Sequence, residues 1–161
     1  MKHIRPVILF SSLFLLAGAL EGTARAQVRP GSKSVGVLSN GVMANAMIGP
    51  RWSAGVQAQR QSGVWVTGLR QRRFFNPDAP RTNFFWAFEE NLVTFDVDNI
   101  RGRGWTLGTA LGLAHFITPR LALEVDAGPA YLDLSDSSGE GTNQGLEFVA
   151  NVGMSWHWGG R

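Results

Sequence analysis

From position 105 onward the chain alternates. Trp105, Leu107, Thr109, Leu111 and Leu113 fall on one phase and Thr106, Gly108, Ala110, Gly112 and Ala114 on the other, so one face is large and mostly apolar and the other small. The next segment sets Leu121, Leu123, Val125, Ala127 and Tyr131 against Ala122, Glu124, Asp126, Gly128 and Ala130. The last sets Leu146, Phe148, Ala150, Val152, Met154, Trp156 and Trp158 against Gly145, Glu147, Asn151, Gly153, Ser155 and His157. A period of two is the pattern of strands with chemically different faces. Helical periodicity is hard to find after Gln27, because Gly and β-branched or aromatic residues interrupt every candidate window.

Turn signals divide the chain into eight predicted strands, over residues 33–48, 51–61, 63–73, 82–89, 91–98, 104–116, 120–134 and 145–158. Alternation alone allows two architectures. In a soluble β-sandwich or lipocalin-like carrier the apolar face points inward and Glu124 and Asp126 face water. In a membrane barrel the apolar face meets lipid and the polar face lines a filled lumen. Trp52, Trp105, Trp156 and Trp158 fall near predicted strand ends, where amphipathic rings suit a membrane interface. The closing residues favour the barrel. Asn151, Gly153, Trp156 and Trp158 follow the spacing polar-x-Gly-x-x-apolar-x-aromatic, which resembles the signal by which the barrel-assembly machinery recognises a C-terminal strand; residues 159–161 follow it. The expected fold is therefore all-β, an eight-stranded antiparallel outer-membrane β-barrel, and eight is even as bacterial barrels require.

With both termini in the periplasm, Glu90 and Thr118-Pro119 are expected at short periplasmic turns, and residues 74–81, 99–103 and 135–144 in longer outer loops. The first strand and the segment 64–73 alternate poorly, which points to a bulge or a shifted register there.

Composition narrows the compartment. Lys2, His3 and Arg5 precede an apolar run from Val7 to Leu20, and Ala24 and Ala26 flank Arg25 as in a cleavage site, so residues 1–26 read as a secretory signal peptide and 27–161 as one barrel domain. That apolar run falls short of the roughly 20 residues a membrane-spanning helix needs. With no cysteine the fold must be held by a core, by closure of the sheet or by lipid, and thiolate metal sites are excluded. The formal charge of +3 falls to about +1 when Lys2, Arg5, Glu21 and Arg25 leave with the signal, so nucleic acid is not an expected partner. Lysine is scarce: Lys2 and Lys33 are the only two.

The candidate chemistry lies between Asp133 and Glu147. Ser135 and Glu147 stand twelve positions apart, and Asn143, Gly145 and Glu147 read Asn-x-Gly-x-Glu at the start of the last strand. This arrangement resembles the outer-membrane lipid A deacylases, or acyloxyacyl hydrolases, which carry His-x-Ser-Asn at the end of the penultimate strand and Asn-x-Gly-x-Glu at the start of the last. The resemblance covers the last third of the chain best. It implies a serine esterase acting on lipopolysaccharide, with Ser135 as nucleophile and Glu147 as the acid that orients the base. Asp133 stands at the family's histidine position and Asp136 at that of its asparagine. A serine esterase needs a base that takes the hydroxyl proton and returns it to the leaving alkoxide. An aspartate, with a reference pKa of roughly 3.9, is a feeble base and has no second nitrogen for Glu147 to hold. Asp136 adds negative charge where an oxyanion has to form. The expected activity is therefore reduced or lost. The alternative is a non-enzymatic structural or surface-interaction barrel, in which 135–139 form a plain polar loop.

The other candidates are cationic or imidazole groups. Arg72, Arg73 and Arg81 flank one predicted outer loop, and Arg101 and Arg103 another, where they would meet lipopolysaccharide phosphates. Glu124 and Asp126 are expected to pair with arginines in the lumen. His115 and His157 sit toward the periplasmic ends of their strands, out of reach of Ser135 and without a third metal ligand. No cofactor or metal is expected; outer-membrane lipid, lipopolysaccharide and the barrel-assembly machinery are the expected partners.

Overall fold

A computed structural model describes residues 28–97, 100–137 and 142–160; the expected signal peptide lies outside the described residues. Eight strands, β1 (Ser32–Leu38), β2 (Gly41–Met47), β3 (Trp52–Gln61), β4 (Val64–Phe74), β5 (Thr82–Val97), β6 (Ile100–Phe116), β7 (Leu121–Asp136) and β8 (Thr142–Gly159), run antiparallel in sequence order and close when β1 pairs with β8. No described helix is long and apolar enough to cross a membrane, which says nothing about crossing by strands.

The expected number of strands is right, but several of their boundaries are not, and 100–103, expected in an outer loop, belong to β6. The predicted strand 33–48 is two strands, β1 and β2, joined at Ser39 and Asn40. Ser39-Asn40 is a two-residue polar turn, masked by the apolar residues on either side. Conversely, 82–89 and 91–98 are one strand, β5, which passes through Glu90 without turning. The run Glu89-Glu90-Asn91 looks like a polar turn. In the barrel Glu89 and Asn91 instead face the lumen, where Gln57 Nε2 donates 2.9 Å hydrogen bonds to Glu89 Oε2 and Asn91 Oδ1.

These corrections also move a loop. The β4–β5 connection lies at the end of the barrel that carries both described termini, as the β2–β3 and β6–β7 connections do. Residues 75–81 are therefore on the terminal side and not among the outer loops. The polar stretch after Asp133 is also less of a loop than expected, since β7 continues to Asp136 and β8 begins at Thr142.

Alternation places the side chains as expected. On β6 to β8 the large apolar phase is exposed outside, with Leu111 66%, Leu146 74% and Phe148 75% accessible, while Ala114, Ala122, Glu124, Asp126 and Ser155 are buried inside. Trp52, Trp156 and Trp158 ring the terminal end, and Arg73 lies over the Trp52 ring at 5.9 Å. A second belt is formed by Trp65, Trp105 and Tyr131, with Trp105 and Tyr131 ring centres 5.6 Å apart and Arg60 over Trp65 at 5.1 Å. Ten residues separate Trp105 from His115 along β6. At ~3.3 Å per residue and a tilt near 40° that is roughly 25 Å along the axis, the height of an outer-membrane apolar band.

The wall is uneven. β1 and β2 have 7 residues each, whereas β5 to β8 have 16 to 18. The β1–β8 ladder runs from Ser32–Gly159 to Leu38–Gly153 and ends with the Ser39 amide bonded to the Val152 carbonyl. Beyond that point β8 has no strand partner on the β1 side.

Candidate functional site

The lumen is filled in layers from the terminal end. The lowest is apolar: Val28, Met47, Phe74, Phe85 and Phe116 cluster with Ala87, Ala114 and Ala122. Above it lies a charged layer. Arg72 Nη1 bonds Glu124 Oε2 at 2.7 Å, Arg70 Nη2 bonds Asp126 Oδ2 at 2.6 Å, and Arg70 Nη1 lies 3.0 Å from Glu89 Oε1. Both guanidinium groups are almost fully buried and lie over phenylalanine faces: Arg72 is 5.5 Å from Phe74 and 5.3 Å from Phe85, and Arg70 is 5.9 Å from Phe85. Asn151 donates to Asp126 Oδ1 at 3.0 Å and completes that carboxylate. Charges this deep persist only when paired and hydrogen-bonded. The small inner phase of β6 makes room for the aromatics. Gly112 is the cross-strand partner of Phe85, and a Cβ there would fall 2.5 Å from the ring. Gly102 and Phe95 repeat the arrangement higher up.

Above the charged layer the lumen opens into a cavity of about 350 Å³. Its walls include Val64, Val66, Val93, Leu132 and Leu134, and its lower part includes Glu89, Asn91, Asp126 and Asn151. Glu147 and Asn143 face it from β8.

That placement separates the proposed esterase residues. The β7–β8 register is regular from Leu121–Trp156 to Ser135–Thr142, with no bulge to bring residues of opposite phase to one face. Asp133 and Ser135 lie on the outward phase, whereas Glu147 pairs with Ala130 and lines the cavity. Glu147 is thus five residues along β8 from Ser135's partner, roughly 17 Å at ~3.3 Å per residue, and on the other side of the wall. Asp133 accepts a 3.0 Å hydrogen bond from Gln144 Nε2 on the outer surface. Asp136 and Asn143 line the inner mouth, and Gly145 has open space where a side chain would stand. His115 bonds Thr82 at 2.9 Å and pairs with Leu123, twelve residues along β7 from Ser135.

The arginine candidates also part company. Arg72 is in the buried charged layer, and Arg73 is in the terminal-side aromatic belt. Arg81 follows the terminal-side loop, where its carbonyl accepts from the Phe116 amide. Only Arg101 and Arg103 stay at the outer rim. Arg101 Nε is 2.9 Å from Asp96 Oδ2 with both side chains largely exposed, and Arg103 pairs across the ladder with Ser135.

Position alone did not suggest one constellation. Ser155 Oγ lies 2.8 Å from His157 Nε2 and also bonds Glu124 Oε1, with His157 Nε2 3.7 Å from the same carboxylate. It resembles a triad in composition only. In a working triad acid and nucleophile bind opposite imidazole nitrogens, whereas here the acid bonds the serine directly. The group is at most 7% exposed, Phe116 packs on the imidazole at 4.9 Å, and the adjoining void of about 10 Å³ admits no ester. These residues finish the charged plug. Among the described residues no group of three or more His, Cys, Asp and Glu could hold a metal.

No protein-family model and no curated protein matches the chain. Among solved structures, the N-terminal β-barrel domain of Pseudomonas aeruginosa OprF is similar in fold, with a TM-score of 0.60, 10% sequence identity, and coverage of 80% of this chain and 98% of that one. At that identity the likeness shows the fold alone, an eight-stranded barrel of the outer-membrane type.

Proposed function

We propose that this chain is a non-hydrolytic outer-membrane barrel, sealed toward the periplasm and open as a cup on the other side, which serves as a structural or surface-interaction protein. One observation carries the reading: the Arg70 and Arg72 ion pairs, at most 3% exposed, lie across the lumen above a floor of buried aromatics. In this reading the signal peptide directs export, β8 presents Trp156 and Trp158 to the barrel-assembly machinery, and the exterior of β5 to β8 meets lipid. Arg101 and Arg103 are the cations placed to meet lipopolysaccharide phosphates.

Lipid A deacylation is disfavoured on three counts. Ser135 has no imidazole within reach among the described residues, Glu147 is across the wall from it, and Asp133 is engaged by Gln144. Lipid A from cells with and without the protein should therefore show one acylation pattern by mass spectrometry. A deacylated product that disappears in Ser135→Ala would overturn the proposal.

A further inference from the structure

The two faces of the sheet exchange character along its height. Below the Trp65, Trp105 and Tyr131 belt the outer face is apolar, and the lumen holds the charged layer above its aromatic floor. Above it the outward positions are Thr94, Asp96, Arg101, Arg103, Asp133 and Ser135, while Phe95, Val97, Ile100 and Leu134 line the inner mouth. A lumen that only had to be wet would not carry Val97 and Ile100 inside at 36% and 56% exposure. The mouth encloses about 420 Å³ and leads to the deeper cavity of about 350 Å³, which shares Val64, Val93 and Leu134 with it. Both volumes fall in the range of roughly 300–1,000 Å³ typical of small-molecule sites.

Its polar groups are biased toward acceptors. The carboxylates of Glu89, Asp126 and Glu147 line the deeper cavity and no basic side chain does. Arg70 beneath is about 1% exposed, committed to Asp126 and Glu89. Glu89 is already engaged, with Oε1 3.0 Å from that cation and Oε2 accepting from Gln57 Nε2. Glu147 forms no ion pair among the described residues. From this we infer that the cup binds a single-chain amphipathic amine, its ammonium at the unpaired Glu147 carboxylate and its apolar body along Val93, Phe95 and Leu134. An ammonium brings three donors to a place rich in acceptors; a carboxylate head would be repelled there. The inference depends on the barrel but not on its cellular address or on the absence of esterase activity.

The test uses the mature chain folded into phosphatidylcholine nanodiscs, with folding checked by heat-dependent gel migration and heats measured by titration calorimetry against empty discs. Octylammonium should bind saturably, one per barrel, and octanoate at least about tenfold more weakly. Glu147→Gln should weaken octylammonium roughly fivefold, a modest loss because that carboxylate is partly exposed to water. Ala130→Phe fills the cavity and should abolish saturable binding; if it does not fold, Val149→Trp replaces it on another wall of the same cavity. Absence of saturable heat above empty discs would overturn the proposal. So would equal binding of octanoate and octylammonium, or binding that survives the filled cavity.

Discussion

Arg72 reaches Glu124 at 2.7 Å with both side chains at most 3% exposed, and Glu124 is also bound by Ser155. Removing one partner leaves the other charge buried and unpaired, which costs about 3–5 kcal/mol, whereas replacing both by apolar or neutral groups of similar volume is close to neutral. Arg72→Met should therefore lower the urea-unfolding stability of the refolded barrel by about that amount, and adding Glu124→Gln should recover most of it. A single variant as stable as the double would show that the pair contributes nothing. Glu124 and Asp126 were legible as lumen acids from their phase alone. Their partners were not: Arg72 looked like a loop residue, because alternation gives the side of the wall but not the height at which a residue faces another strand. Ser135 and Glu147 are parted for a related reason. Their spacing in sequence matched a known motif, but a regular ladder puts an outward and an inward residue on opposite faces whatever their separation.

At the scale of strands, β6, β7 and β8 could be read closely because each has one apolar face long enough to fix its phase. β1, β2 and β5 were misread where polarity was locally misleading: Ser39-Asn40 hid a turn among apolar residues, and Glu89-Glu90-Asn91 simulated one inside a strand. The consequence is a definite sidedness. The Ser62-Gly63 turn, with both residues at positive φ, lies at the end away from the termini, and Pro77 at the end that carries them. An epitope inserted between Ser62 and Gly63 should label on intact cells, and one inserted after Pro77 only after the outer membrane is permeabilised. The reverse pattern would invert the barrel.

For the whole molecule, eight strands emerged from two errors of opposite sign, one strand too few before residue 50 and one too many around residue 90. The fold class survived because it rests on the alternation and the closing strand, not on each boundary. Closure of the lumen is a property of the complete ring, since the plug draws Arg70 and Arg72 from β4, Glu89 from β5, and Glu124 and Asp126 from β7. Planar bilayers containing the protein should accordingly show no steady ionic current, and Arg70→Ala with Arg72→Ala should give one; a conducting wild type would mean the plug is not sealed. The short β1–β2 hairpin has a different consequence, for the lipid. Seven residues at ~3.3 Å and a tilt near 40° rise only about 18 Å, against an apolar band of ~25 Å, and β8 beyond Val152 offers backbone amides and carbonyls on that side. Hydrocarbon cannot satisfy those groups, so headgroups and water must descend to the hairpin. The protein would then sit in the bilayer as a standing dimple, thinning the outer leaflet on one flank only and giving a radially symmetric membrane a local direction.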